Sequence, residues 1–101
     1  MNEISAVELM AIYRNVSVVD VRDHEEYISG HVPGAIHIPL PTIPLRFSEL
    51  DKSKTHYVIC EAGGRSAQAC TYLSQQGYDV INISDGTGAM RMMGAPLSQG
   101  D

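Results

Sequence analysis

Four short apolar runs separated by helix-forming segments restrict the fold of this chain more than any other feature: Val16 to Val21, Ala35 to Leu40, His56 to Cys60 and Asp79 to Ile83. Compact runs of this kind, the first of them rich in β-branched residues, are expected of buried strands. The segments between them carry helix signals. Ser5-Ala6-Val7-Glu8 has the spacing of a capping box, and Val7, Met10 and Ala11 continue it as an apolar stripe ending near Tyr13. Asp23 and Glu26 repeat the pattern and predict a short helix to about Ser29, stopped by Gly30. His31-Val32-Pro33-Gly34 is a turn, and Pro39 and Pro41 close the strand that follows it. Thr42 to Leu50 has apolar residues at irregular spacing and a proline, Pro44, which a helix accepts only in its first turn. A short helix is expected there, then a polar loop from Asp51 to Lys54. Ser66 to Gln76 reads as a helix ended by Gly77, and Asp85-Gly86-Thr87-Gly88 opens a last helix through about Met93, ended by Gly94-Ala95-Pro96.

Alternation of strand and helix, with connections long enough for crossovers, implies an α/β fold. Its sheet is small and mostly parallel, with helices on both faces. The 101 residues suffice for one domain, 1–101, around one core, with the tail 98–101 expected to fray. In such sheets ligands sit at the carboxyl ends of the strands. Those ends are Asp20-Val21-Arg22, the residues around Leu40, Cys60, and Ser84-Asp85.

Composition narrows the function. A net charge of −5, with only seven scattered basic residues, argues against nucleic acid as a partner. The same charge means that a small anionic substrate must be drawn by a local feature. No apolar run approaches the roughly 20 residues of a membrane span, and the N-terminus lacks the basic and apolar regions of a signal peptide. A cytoplasmic location and no membrane partner are therefore expected. Two cysteines in different settings, Cys60 and Cys70, do not read as a disulfide framework.

Cys60 stands where the architecture expects chemistry. It is followed by Glu61-Ala62-Gly63-Gly64-Arg65-Ser66, a six-residue turn that runs into a helix. The two glycines let the backbone fold tightly around the sulfur. Turn amides and the helix N-terminus together form a pocket of N–H donors with positive potential, where a thiol tends to ionise near neutral pH. A free cysteine at a strand end is ordinarily a packing residue. Here the combination of strand, glycine turn, arginine and helix start points instead to a reactive sulfur. Cys70 lies with Ala69 and Leu73 on the apolar face of its helix and reads as core.

The neighbouring polar residues have plainer readings. Ser66 is expected to be a helix cap or first-turn residue, its hydroxyl facing the sulfur only secondarily. Asp20 and Arg22 read as a buried hydrogen-bonded pair supporting the site, and Glu26 as a cap that can also pair with a base. His31 reads as a turn histidine that satisfies nearby carbonyls. His24, His37 and His56 have no metal-ligand spacing with the cysteines. Met90, Met92 and Met93 read as core filling, with a docking patch as the alternative. Glu61 is the anomaly. A carboxylate beside the nucleophile opposes anionic donors and raises the thiol pKa unless it points into solvent.

Three segments together resemble the single-domain rhodanese family of thiosulfate-type sulfurtransferases, over nearly the whole chain. They are Asp20-Val21-Arg22 with Glu26-Tyr27 and Gly30-His31-Val32-Pro33-Gly34-Ala35, then Cys60 to Ser66, then Asn82 through Pro96. Asp85 stands where the family usually has a glycine, and Met90 where it usually has a tryptophan. The resemblance implies that Cys60 carries a persulfide. Its thiolate takes the outer sulfur of a small donor (thiosulfate or a persulfide) and passes it to cyanide, a small thiol or a protein thiol. The amides of Glu61, Ala62, Gly63, Gly64, Arg65 and Ser66 would bind the substrate and the persulfide anion, with Arg65 as a permanent cation. No metal and no organic cofactor is implied.

Two other functions fit parts of the pattern. A Cys-dependent phosphatase or arsenate reductase also uses a thiolate in a loop with an arginine. Only four residues separate Cys60 from Arg65, which suits one sulfur atom better than a tetrahedral anion. A non-catalytic persulfide carrier or interaction module shares the cysteine chemistry and differs only in its donor.

Overall fold

A computed structural model describes residues 1–101. Five strands form one sheet: β1 (Glu3–Ile4), β2 (Ser17–Asp20), β3 (Ile36–His37), β4 (Thr55–Ile59) and β5 (Asp79–Ile83). They lie in the order β1-β5-β4-β2-β3, and every neighbouring pair is parallel. Five helices connect or flank them: α1 (Ala6–Ile12), α2 (His24–Ser29), α3 (Ile43–Arg46), α4 (Gly64–Gln75) and α5 (Gly86–Met92). Both predicted capping boxes form, Ser5 with Glu8 and Asp23 with Glu26.

The sheet is buried on both faces, and its side chains divide by the two-residue period of a strand. Val19 and Val58 point into one core layer with Ile43 of α3 and Ala69, Cys70 and Leu73 of α4. Val18 and Ile59, one residue away, point into the other with Ala6 and Leu9 of α1 and Met90 of α5. Cys70 is core, as its helical position implied, and burial pushes its thiol up to about 12.

Several expectations are corrected. β1 was not foreseen: two residues offer no periodic signal, and the strand exists because Glu3 and Ile4 meet Asn82 and Ile83 of β5. The run Ala35 to Leu40 supplies only the two-residue edge strand β3, because Pro39 leads into a 3₁₀ turn at Leu40–Thr42. Thr42 to Leu50 holds one turn of α-helix, with Pro44 in its first turn, and a second 3₁₀ turn at Phe47–Glu49. α4 starts two residues before the expected Ser66 because Gly63, at φ +105°, already makes the turn. The tail is tied to the body at two points. Ser98 exchanges two backbone hydrogen bonds with His31 (2.9 and 2.8 Å), and the Gly100 N–H donates to Ile28 O at 2.8 Å.

Of the three methionines expected to fill the core, only Met90 does so. Met92 is 91 % exposed and Met93 41 %. Met92, two residues after Met90, falls on the side of α5 away from the core, and Met93 lies past the end of the helix. Asp85 also has a use: its Oδ1 accepts from the Ala6 N–H at 2.7 Å, capping the first turn of α1 from the opposite end of the chain.

Candidate functional site

Hydrogen bonding continues past the ends of the central strands and sets where Cys60 stands. The Val21 N–H donates to Ile59 O at 3.0 Å, so β2 and β4 stay paired up to the residue before the cysteine. The chain then turns over the sulfur. The Gly63 N–H points at Sγ from 3.0 Å, and the Ser66 hydroxyl lies 3.3 Å from it. Gly63 is required here on two counts. Its φ is left-handed, and a Cβ would collide with the carbonyl oxygen of Ser84.

Burial alone would push the Cys60 thiol up, since the charged form loses solvent. The Ser66 hydroxyl and the amides of Ser66, Gly63 and Ala62 outweigh that effect and hold the pKa below the ordinary thiol value. Of the six amides expected around the sulfur, those of Ala62, Gly63 and Ser66 act on it and those of Glu61, Gly64 and Arg65 are not among its partners, while the Ser66 hydroxyl is a closer partner than expected. With Cys60 as a thiol, the S–H donates to Ser66 Oγ and the single Ser66 proton goes to Asn82 Oδ1 at 2.5 Å, while Asn82 Nδ2 donates to Gly63 O at 3.3 Å; that proton turns to the sulfur when Cys60 ionises. Asn82 is buried on β5 and ties both arms of the loop together. Sequence reasoning missed it, because nothing local distinguishes an inward-facing asparagine in an apolar strand.

α5 fixes the loop from above. Its first-turn N–H groups lack partners within the helix, and two of them reach the loop. The Thr87 N–H donates to Cys60 O at 2.9 Å and the Gly88 N–H to Glu61 O at 3.0 Å. The close approach requires Gly86, at φ +64°, where a Cβ would lie 2.5 Å from the oxygens of both Cys60 and Glu61.

Asp20 and Arg22 form a buried support. The Arg22 guanidinium donates to both Asp20 oxygens, with Nη2 to Oδ2 at 2.8 Å, and to Gly30 O at 2.8 Å. Burial works against the Arg22 charge, but the hydrogen bond and charge of Asp20 prevail and raise its pKa. His31 donates from Nδ1 to Tyr27 O at 2.7 Å and stacks on the Tyr27 ring at 3.7 Å.

The two loop residues with charged side chains are both committed. Arg65 makes two bonds to Glu26, at 2.7 and 2.8 Å. The Arg65 hydrogen bond holds the Glu26 carboxyl down at about 2. Glu61 does not point freely into solvent, which corrects that expectation, and the Cys60 pKa is lowered with the carboxylate in place. Its Oε2 accepts from Arg91 Nη1 at 2.7 Å and its Oε1 from the buried Arg22 Nη1 at 3.3 Å. The Arg91 hydrogen bond is the main reason its pKa is lowered. Arg91 lies 30 residues from Glu61, beyond the reach of any local pattern.

The larger of two cavities, about 740 Å³, opens at the other end of the sheet, around Arg14, Ser17, Lys54 and His56. Ser17 Oγ donates to His56 Nδ1 at 2.6 Å, and His56 Nε2 to Asp51 O at 2.7 Å. These bonds occupy both ring nitrogens, so the histidine is a satisfied cross-strand contact. No helix is long and apolar enough to cross a membrane.

Comparison with known proteins agrees with the geometry. The family model described as Rhodanese-like domain matches residues 5–91. A protein named sulfurtransferase from Allochromatium vinosum is 39% identical over 101 residues, covering 96% of this chain and 94% of that protein. Among solved structures, a rhodanese-related protein from Thermoplasma volcanium superposes with a TM-score of 0.91 at 31% identity, covering 96% of this chain and 97% of the other. A rhodanese-like domain protein from Staphylococcus aureus gives 0.88 at 33% identity, with both chains fully covered.

Proposed function

We propose that this chain, which belongs to the rhodanese-like domain family, transfers sulfane sulfur through a persulfide on Cys60. The observation that carries this reading is the sulfur itself, ringed by the Gly63 amide at 3.0 Å and the Ser66 hydroxyl at 3.3 Å with a lowered pKa. The thiolate that these contacts favour is the nucleophile. It attacks the outer sulfur of a donor: the new S–S bond forms on Cys60, and the donor's S–S bond breaks. With thiosulfate the electron pair leaves on sulfite, and with an organic persulfide it leaves on a thiolate. In the second half-reaction a thiol or cyanide takes the outer sulfur and returns the Cys60 thiolate. Dividing the transfer in two is the advantage of covalent catalysis. The same amides meet the negative charge in both states without rearranging.

Two features favour sulfur over phosphoryl transfer. Four residues separate Cys60 from Arg65, and Arg65 spends its guanidinium on Glu26 rather than facing an oxyanion above the sulfur. A carrier that only receives persulfide from a partner uses the same chemistry, and turnover with a small donor distinguishes it from an enzyme. The test of the common step is intact mass after incubation with a sulfane donor. A gain of about 32 Da on the wild type, absent from Cys60→Ser, is expected for a thiolate nucleophile. No adduct with thiosulfate or any persulfide overturns the assignment.

A further inference from the structure

Three arginines lie on the segments around the Cys60 loop, and each is paired with a carboxylate. Arg22 faces Asp20 at 2.8 Å, Arg65 faces Glu26 at 2.7 Å and Arg91 faces Glu61 at 2.7 Å. The first pair is fully buried. The other two form the rim, with side chains 30 to 49 % exposed. Arg65 is near enough to feel the charge of Cys60 and also that of Asp23. Each of the three positive charges is therefore matched by a carboxylate, inside a chain of net charge −5. Each rim cation already turns its Nη1 and Nη2 toward a carboxylate.

This matters because the two donor classes differ in charge. Attack of a thiolate on thiosulfate gathers three negative charges at the reacting centre, and sulfite carries two of them away. With an organic persulfide, R–S–SH, the thiolate meets a reacting group bearing at most one charge. The leaving RS⁻ then takes a proton from solvent. A rim with no net charge does little to offset the first case and does not oppose the second.

Resting on the sulfur-transfer reading above, we propose that Glu26 and Glu61 are specificity-determining residues. By neutralising Arg65 and Arg91 they set the site against dianionic donors and in favour of organic persulfides.

The test is the ratio of kcat/KM for thiosulfate to that for cysteine persulfide, measured in the whole chain. Glu26→Gln and Glu61→Gln keep an oxygen acceptor for each arginine but remove its countercharge. Each should raise the ratio about tenfold, the order expected when one uncompensated charge acts on a dianion near a protein surface. The increase should shrink as ionic strength rises. Arg91→Gln strips Glu61 of its rim partner and should lower the ratio. Opposite movement by the two halves of one ion pair is what a merely structural role does not produce. An unchanged ratio in both glutamine variants, or a shift in the same direction in all three variants, overturns the proposal. If no donor of either class loads sulfur onto Cys60 in wild type or variants, the sulfur-transfer reading itself fails. If both donors load the wild type equally well, that reading stands and the selectivity is refuted.

Discussion

Removing the Ser66 hydroxyl isolates one donor of the cradle. In Ser66→Ala the Cys60 thiolate loses a bond of 3.3 Å but keeps the amides of Ala62, Gly63 and Ser66. A hydrogen bond to a charged group contributes about 1.5–3 kcal/mol, and about 1.4 kcal/mol corresponds to one pKa unit. Because the amides remain and the hydroxyl must leave Asn82 Oδ1 to reach the thiolate, no more than the lower end applies, so the Cys60 pKa should rise by about one unit at most. The readout is the ultraviolet absorbance of the thiolate against pH, taken as the difference between each protein and its Cys60→Ser counterpart. Alkylation by iodoacetamide should follow the same curve, at most about tenfold slower in the variant below both midpoints and converging above them. A second effect is separable. Asn82 Oδ1 loses its 2.5 Å donor in a buried setting, which costs about 1–3 kcal/mol of stability. A folded, destabilised Ser66→Ala whose midpoint stays at the wild-type pH would refute the assignment of the hydroxyl to the sulfur.

Other expected outcomes follow from the same geometry. Gly63→Ala forces a Cβ against Ser84 O at a left-handed φ, and should both lower Tm by roughly 10 °C or more and slow Cys60 alkylation. Equal reactivity at reduced stability would show that the amide does not depend on this backbone. Asp85→Ala removes the side-chain acceptor for the Ala6 N–H and should cost about 1 kcal/mol, or about 4–8 °C in Tm, without changing the thiol titration. Cys60→Ala measures linkage. The folded pKa lies below the unfolded value, so the thiolate's contribution to stability is complete above roughly pH 8.5 and is lost as pH falls through the folded value. The Tm advantage of wild type over Cys60→Ala should therefore shrink on acidification. An advantage independent of pH would contradict the lowered pKa.

What the sequence revealed was whatever its local order encodes. The strand, two glycines, arginine and helix start around Cys60 lie within a few residues, so the cradle could be drawn before any strand was placed. The two capping boxes were legible for the same reason. What escaped depends on pairings across the sheet. Arg65 finds Glu26 39 positions away, and Asp85 finds Ala6 at a separation of 79. Such contacts follow from the strand order β1-β5-β4-β2-β3, which periodicity does not specify. Glu61 shows the consequence most clearly. Beside Cys60 in sequence it reads as a stray negative charge, and only the position of α5 reveals the arginine that cancels it. Asn82 was invisible for a related reason: a single polar residue in an apolar strand gains its meaning from the loop that packs on it.

The bonds from Thr87 and Gly88 to the carbonyls of Cys60 and Glu61 also bear on how the chain is made. Synthesis runs from the N-terminus, so the cysteine and its glycine turn are polymerised well before the helix that holds them. Until residues 84–88 arrive there is no Ser84 carbonyl to close over Gly63 and no amide to fix the loop. From residue 60 until those residues follow, the growing chain thus carries its thiol without them. The loop around its sulfur is held in full only when the last strand and helix dock, so the completed set of bonds itself marks a domain that has finished folding.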